Sequence, residues 1–234
     1  NAIAIDPAFS ETYKNFGTLA SPLEARAVFL KAGQVWVGTS AGVAFANKFD
    51  PNLLDPSRWV SINQSSDTGL TNHTISSIAN WKDTLFFGTQ SCIFKFNSSD
   101  TPFSLSGLNG LMVRELKVKN TLFYAATNNG VYQYQDSIWV AVPNLNLLSS
   151  DLNSVEQDYL DNIWVGSAGE GVFKFLGSSW QNLQFPGPMA NVFVDIAFDS
   201  QGKIYCANDI FGASILDLNN SWINFDTFNT QFVT

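Results

Sequence analysis

Apolar and polar residues alternate with period two over short runs of this chain, and most runs stop at a cluster of Gly, Asn, Asp or Ser. Such alternation predicts half-buried strands closed by tight turns, and helical periodicity is nearly absent. The runs also recur. A strand, a turn and a second strand are repeated five times. The second strand carries an aromatic or apolar pair, a tiny residue and a small polar one: WVGT at Trp36 to Thr39, FFGT at Phe86 to Thr89, YAAT at Tyr124 to Thr127, WVGS at Trp164 to Ser167 and YCAN at Tyr205 to Asn208. The aligned small residues Gly38, Gly88, Ala126, Gly166 and Ala207 lie about forty residues apart, with a longer first interval, and such a period marks a repeat architecture.

A second register supports the first. After each small residue comes an apolar stretch and then an aromatic: Trp59, Phe103, Trp139, Trp180 and Trp222. Before each lies an alternating run: ARAVFL, TISSIANW, MVRELKV, LNSVEQD and VFVDIAF. Four strands per unit follow, placed in the fourth unit near 152–158, 162–167, 171–176 and 179–184. The turns LDN, DSQG and AG are rich in residues that close hairpins. The fold class is therefore all-β: a β-propeller of four-stranded antiparallel blades. Residues 1–234 read as a single propeller region with units near 24–63, 74–106, 112–143, 152–184 and 192–225. The excess length of the first unit sits in NKFDPNLLDP, which reads as a surface loop. The recurrent Gly or Ala would let neighbouring sheets approach, and the preceding aromatic would fill the wedge between them.

Composition suits such a body: 45% hydrophobic and 14% aromatic residues can bury a substantial core. No stretch is apolar and long enough to cross a membrane as a helix. A net charge of −8, with scattered Lys and Arg, disfavours nucleic acid as a partner. Cys92 and Cys206 fall in different units and registers, which predicts two buried free thiols. The chain opens NAIAIDPAFSETYKNF, without Met, so either a removed leader or an excerpt of a longer chain is expected. Tyr13 to Phe16 resembles an outer strand and DTFNTQFVT the approach to a further unit, so a parent propeller of six or more blades is expected, although five units could close alone.

At these residues the chain resembles a known family. The run from GL through an apolar strand and a turn to W-[VI]-G-[TS], seen in GLTNHTISSIANWKDTLFFGT and LNSVEQDYLDNIWVGSAGEGVFKF, resembles the two-component regulator propeller repeat over nearly the whole chain. DPSRWVSINQSSDTGL and FPGPMANVFVDIAFDSQGKIYCAN are also similar to the amino-terminal propellers of the surface protein that works with the type IX secretion sortase. The resemblance implies a Bacteroidetes-type propeller, periplasmic or at the cell surface. Its expected role is a non-catalytic sensing or binding module of a regulator-like protein, with kinase or secretion modules in the parent. One alternative is a secretion-associated binder of glycan or lipopolysaccharide; another is a propeller hydrolase or lyase. YAAT and YCAN depart from the glycine form of the repeat, and no kinase or transmembrane part lies within this sequence.

Catalytic chemistry is sparse. His73 is the sole histidine, so a serine nucleophile has one candidate base and nothing resembles a nucleophile elbow. No Cys or second His stands at metal spacing, and DYLDN and NDIF lack a dense calcium-ligand pattern, so neither metal nor cofactor is expected. Asp151, Glu156, Asp158 and Asp161 are close in sequence, but alternation and turn position assign them to turn hydrogen bonds and solvation. Ligand binding is expected instead from loops that lead into the first strand of each unit, free of packing duty: Asn72, His73, Asn109, Ser150, Asp151, Asn153 and Asn191, with Thr71, Leu111 and Ala190 beside them. Their donors and acceptors suit a glycan or peptide ligand.

Overall fold

The computed structural model describes residues 16–19, 24–63, 70, 74–96, 103–183, 192–208, 212–219 and 221–225. Five four-stranded antiparallel sheets, each a simple meander, follow in chain order. The first holds β1 (Ala25–Lys31), β2 (Gln34–Thr39), β3 (Gly42–Asn47) and β4 (Val60–Ile62); the second holds β5 (Ile75–Trp81), β6 (Thr84–Thr89), β7 (Ile93–Phe96) and β8 (Phe103–Gly107). The third comprises β9 (Val113–Lys119), β10 (Leu122–Thr127), β11 (Gly130–Gln135) and β12 (Ile138–Ala141). The fourth comprises β13 (Leu152–Gln157), β14 (Ile163–Ser167), β15 (Val172–Phe175) and β16 (Trp180–Leu183), and the fifth β17 (Phe193–Phe198), β18 (Ile204–Asn208), β19 (Gly212–Leu216) and β20 (Trp222–Phe225). The four strands expected in the fourth unit are all present, within a residue or two at each end. The chain divides into two compact units, 1–109 with the first two sheets and 110–234 with the other three.

Within each unit, sheets pack face to face in the register the sequence predicts. In the first unit Trp36 and Val43 join Ile75, Ile78, Phe87 and Phe94 of the next sheet in one core. Trp36 stacks on Phe45 at 4.3 Å and meets the edge of Phe96 at 5.2 Å. In the second unit Tyr124 and Ala126 pack with Val155 and Val165, and Trp164 with Phe193 and Ile196. The small anchor has the expected cause. A Cβ on Gly38 would lie 2.6 Å from Ile75 Cγ2, and one on Gly166 would lie 3.1 Å from Phe193 Cβ and 2.8 Å from Ser154 Oγ. Four of the five wedge aromatics are buried, whereas Tyr205 on the last sheet is 39% exposed.

The small polar residue after the anchor closes a turn. Thr39 and Thr127 donate through Oγ1 to the carbonyls of Gly42 and Gly130, at 2.9 and 2.8 Å, and accept the amides of Ala41 and Asn129. Thr89 and Ser167 repeat the arrangement with Cys92 and Gly171. Each hydroxyl adds a side-chain hydrogen bond to the backbone of a tight hairpin turn, and the Cys92 and Gly171 carbonyls also accept the backbone amides of Thr89 and Ser167. The long segment of the first unit is a run of turns ending in a one-turn 3-10 helix, Pro56–Arg58, capped by Asp55. Trp59 Nε1 fastens it by donating to the Leu53 carbonyl at 2.8 Å. Cys92 and Cys206 are both buried and free, and burial pushes the Cys206 thiol up to about 12.

One recurrent feature escapes the alternation rule. The first strand of every sheet shifts register at the same place, so that Arg26, Ser76, Arg114, Asn153 and Val194 are the extra residues of five equivalent bulges. A bulge turns its side chain out of the pleat. These positions therefore differ in orientation from the alternating residues around them.

Candidate functional site

In each sheet the first strand lies at an edge, so one side of its backbone has no ladder partner. In the second unit, side chains from neighbouring first strands satisfy those groups. Glu115 Oε2 on β9 accepts the Val155 amide of β13 at 2.8 Å, and Lys119 Nζ donates to the Gln157 carbonyl. The bulge residue Asn153 donates through Nδ2 to the Phe193 carbonyl of β17 at 2.6 Å. The bulge residue Arg114 donates through Nη2 to both oxygens of Asp151, at 2.8 and 3.1 Å. The first unit uses a similar contact, with Lys31 donating to the Asp83 carbonyl in the turn after β5.

These contacts gather charge onto the edges of β9 and β13. Lys117 Nζ pairs with Glu156 Oε2 at 2.5 Å, and Lys119 approaches Glu156 Oε1 at 3.9 Å. Glu156 is buried, and its Oε1 also accepts the Gln157 amide at 2.9 Å. The exposed Asp195 on β17 accepts the Ile196 amide at 2.9 Å. Burial pushes the Glu115 carboxyl up to about 7; the Val155 amide and Lys117 oppose that shift, while Asp195 and Glu156 add to it. Burial pulls Lys117 down, but its bond to Glu156 and the fields of Glu156, Glu115 and Asp195 outweigh this and leave it raised. The lining thus combines a fixed ion pair with a carboxyl that titrates near neutrality. A perturbed acid amid specific charge partners is a physical marker of a functional site.

The residues expected from sequence divide into three groups. Ser150, Asp151 and Asn153 lie in or beside the start of β13, where Asp151 and Asn153 contact the first strands of neighbouring sheets and Ser150 contacts β11. They are not free of packing duty: Asp151 holds Arg114, Asn153 holds Phe193, and the Ser150 carbonyl accepts the Gly130 amide at 2.7 Å. Asn109 is an exposed turn residue of the first unit. Asn72, His73 and Asn191, with Thr71 and Ala190, lie outside the described residues. Glu156 and Asp158, read as solvated or turn residues, are both buried. The first belongs to the ion pair; the second accepts four N–H groups, including Trp164 Nε1 at 2.9 Å.

Sequence reasoning missed Arg114, Glu115 and Lys117. The signal was present in MVRELKVK, where four charges occupy one short strand of a chain that is only 14% charged. By contrast β5, ISSIANW, carries none. Among the described residues no group of three or more His, Cys, Asp and Glu side chains is placed to hold a metal ion, and no helix is long and apolar enough to cross a membrane.

No family model matches this chain, and no curated protein matches it. Solved structures do. One is the extracellular domain of BT4673 from B. thetaiotaomicron, described both as a one-component and as a hybrid two-component system. It has a TM-score of 0.69 and 20% identity, over 82% of this chain and 27% of that one. A second is the extracellular domain of the hybrid two-component system BT3049 from the same organism, with a TM-score of 0.68 and 14% identity over 92% and 30% of the two chains. A third is virginiamycin B lyase from Staphylococcus aureus, with a TM-score of 0.61 and 8% identity over 86% and 69%. This chain therefore spans less than a third of the length of the first two. The likeness shows an all-β propeller fold, with the five sheets as blades and β1, β5, β9, β13 and β17 as their inner strands.

Proposed function

We propose that this chain is a non-catalytic, extracytoplasmic propeller module that binds a ligand for a regulator-like parent protein, through the inner strands of its second unit and the loops leading into them. The observation that carries the reading is the concentration of charge on those strands. Packing asks only for apolar residues there. Instead Arg114, Glu115, Lys117, Lys119, Glu156 and Asp195 form a polar lining, pinned from blade to blade. Such pinning presents donors and acceptors at fixed positions, so little ordering entropy is lost when a polar ligand docks. The structural likeness to extracellular domains of sensor systems supports the same reading, by analogy of fold. Ser150, Asp151, Asn153 and Asn191 belong to the proposed loop set of the second unit, and Asn72, His73 and Asn109 are proposed as ligand-contacting loop residues of the first unit. The ligand is a glycan or a peptide, chemistries that match mixed-sign charges and amides.

One observation favours a second reading. The likeness extends to a lyase, and Glu115, titrating near neutrality beside Lys117, has the properties of a general base. A thermal-shift screen against oligosaccharides and peptides separates the two, with product analysis on every stabilising compound. Binding to the native state raises Tm by mass action. The binding reading expects a saturable rise, lost in Lys117→Met, with the compound recovered intact. A converted compound would establish the lyase reading, and no stabilising compound in either class would remove the proposed function.

A further inference from the structure

Exposed apolar side chains of the second unit collect on hairpin tips. The turns 158–162, 176–179, 199–203 and 217–221 join first to second and third to fourth strands of the fourth and fifth sheets, so each lies at the same end of its sheet. Such turns are ordinarily built from Gly, Asn, Asp and Ser. Here Tyr159, Leu160, Leu176 and Leu218 stand among them, each between 56% and 64% exposed. Tyr159 bridges the two sheets: a Cβ on Gly202 would lie 2.5 Å from its Cε1, so its ring lies against the first turn of the fifth sheet. Tyr159, Leu160 and Leu218 also line a cleft of about 590 Å³ whose walls include Phe198 and Trp222. One exposed Leu needs no explanation, but apolar tips gathered round a cleft add nothing to the core and mark a contact surface.

Charge on the same turns selects the partner. They carry Asp158, Asp161, Asp199 and Asp217 against one basic residue, Lys203. Within the cleft Lys174 is ion-paired with Asp158 at 3.9 Å. Asp217 keeps spare capacity: its Oδ1 accepts the Asn219 and Ser221 amides, and its Oδ2 accepts no hydrogen bond among the described residues. An acidic surface repels anionic lipid and polyanions and draws cationic partners. A carboxylate and an indole face in one cleft, as Asp217 and Trp222 are here, suit an interfacial Arg or Lys. We infer that this end of the second unit is a docking surface for a protein partner that presents a cationic amphipathic segment. Its apolar side chains rest on Tyr159, Leu160, Leu176 and Leu218, and one of its basic side chains reaches Asp217. The surface lies at the other end of β13 from Asp151 and Asn153, shares no residue with the inner-strand lining, and is independent of the function proposed there.

The test is a fluorescence-anisotropy titration of the whole chain into a dye-labelled synthetic amphipathic helix of Leu and Lys, beside its Leu and Glu counterpart. Saturable binding of the Leu/Lys peptide is expected, weakening with added salt, and none of the Leu/Glu peptide. Leu160→Ser combined with Leu218→Ser is expected to weaken binding about tenfold. Asp217→Asn, which keeps an oxygen for the two turn amides, is expected to weaken it about threefold. Leu148→Ser combined with Val192→Ser, exposed residues in the loops leading into β13 and β17, is expected to bind as the wild type does. Equal affinity for the two peptides, an unaltered titration of the Leu160 and Leu218 variant, or an equal loss in the Leu148 and Val192 variant would overturn the assignment. So would adsorption to phosphatidylglycerol vesicles, or a dimer of the chain, that the Leu160 and Leu218 substitutions abolish, since either would give the tips a different occupant.

Discussion

Single residues in the second unit carry unusual electrostatic duties. Glu115 has an ordinary value of 4.5 and is raised to about 7 in the folded chain, so between those values the folded state holds a proton that the unfolded state has released. Stability from this group is complete below pH 4.5 and falls as pH rises through 7, by about 3 kcal/mol in all. Glu115→Gln is expected to flatten that decline, measured as urea-unfolding free energy at pH 5 and pH 8. Asp158 behaves in the opposite sense. Despite burial, its bonds to Trp164, Asn162 and Leu160 hold its carboxyl below the usual range. Asp158→Ala strands four donors, Trp164 Nε1 among them, and is expected to cost roughly 2–4 kcal/mol by chemical denaturation. The role of Asp158 was not legible in DYLDN. A turn aspartate and a buried hub look alike until the following strand brings an indole N–H to the carboxylate.

At the scale of the element, the repeat was legible because packing imposes it. Gly166 faces Phe193 of the next sheet, and its position in WVGS announces that approach. Gly166→Ala is expected to cost about 1–3 kcal/mol through overpacking, whereas Gly169→Ala, whose added methyl meets nothing within 4 Å, should change stability by less than about 0.5 kcal/mol. Thermal unfolding of the pair checks both. The bulges were not legible. Arg114 and Asn153 sit in runs whose alternation tolerates one extra residue without leaving a mark in the sequence, and only the pairing of β9 with β10 and of β13 with β14 reveals the shift. That shift separates Asn153 as an expected loop donor from Asn153 as a latch on Phe193. The same gap explains the candidate site. Loop residues were sought where packing ends, while the charged lining lies inside strands, where alternation alone predicts a plain surface face.

At the scale of the whole molecule, five sheets of one repeat were evident from register, and the solved structures confirm the propeller fold. Register does not reveal what a fold is used for, because Trp36, Gly38 and Thr39 serve packing and turn closure alone. Exposure on the last sheet adds a physical consequence. Tyr205, Val194 and Ile223 present apolar surface on one blade, and the isolated chain is expected to associate with concentration by light scattering, less so as Tyr205→Ser. The central claim concerns binding without turnover at the inner-strand lining, and one calorimetric titration addresses it most directly. The compound giving the largest thermal shift is titrated into the chain and into Lys117→Met, and the wild-type cell contents are then analysed. The account predicts a single saturable binding event, weakened at least tenfold in the variant, with the compound recovered unchanged. Equal affinity in both proteins, or a compound converted to product, would contradict it.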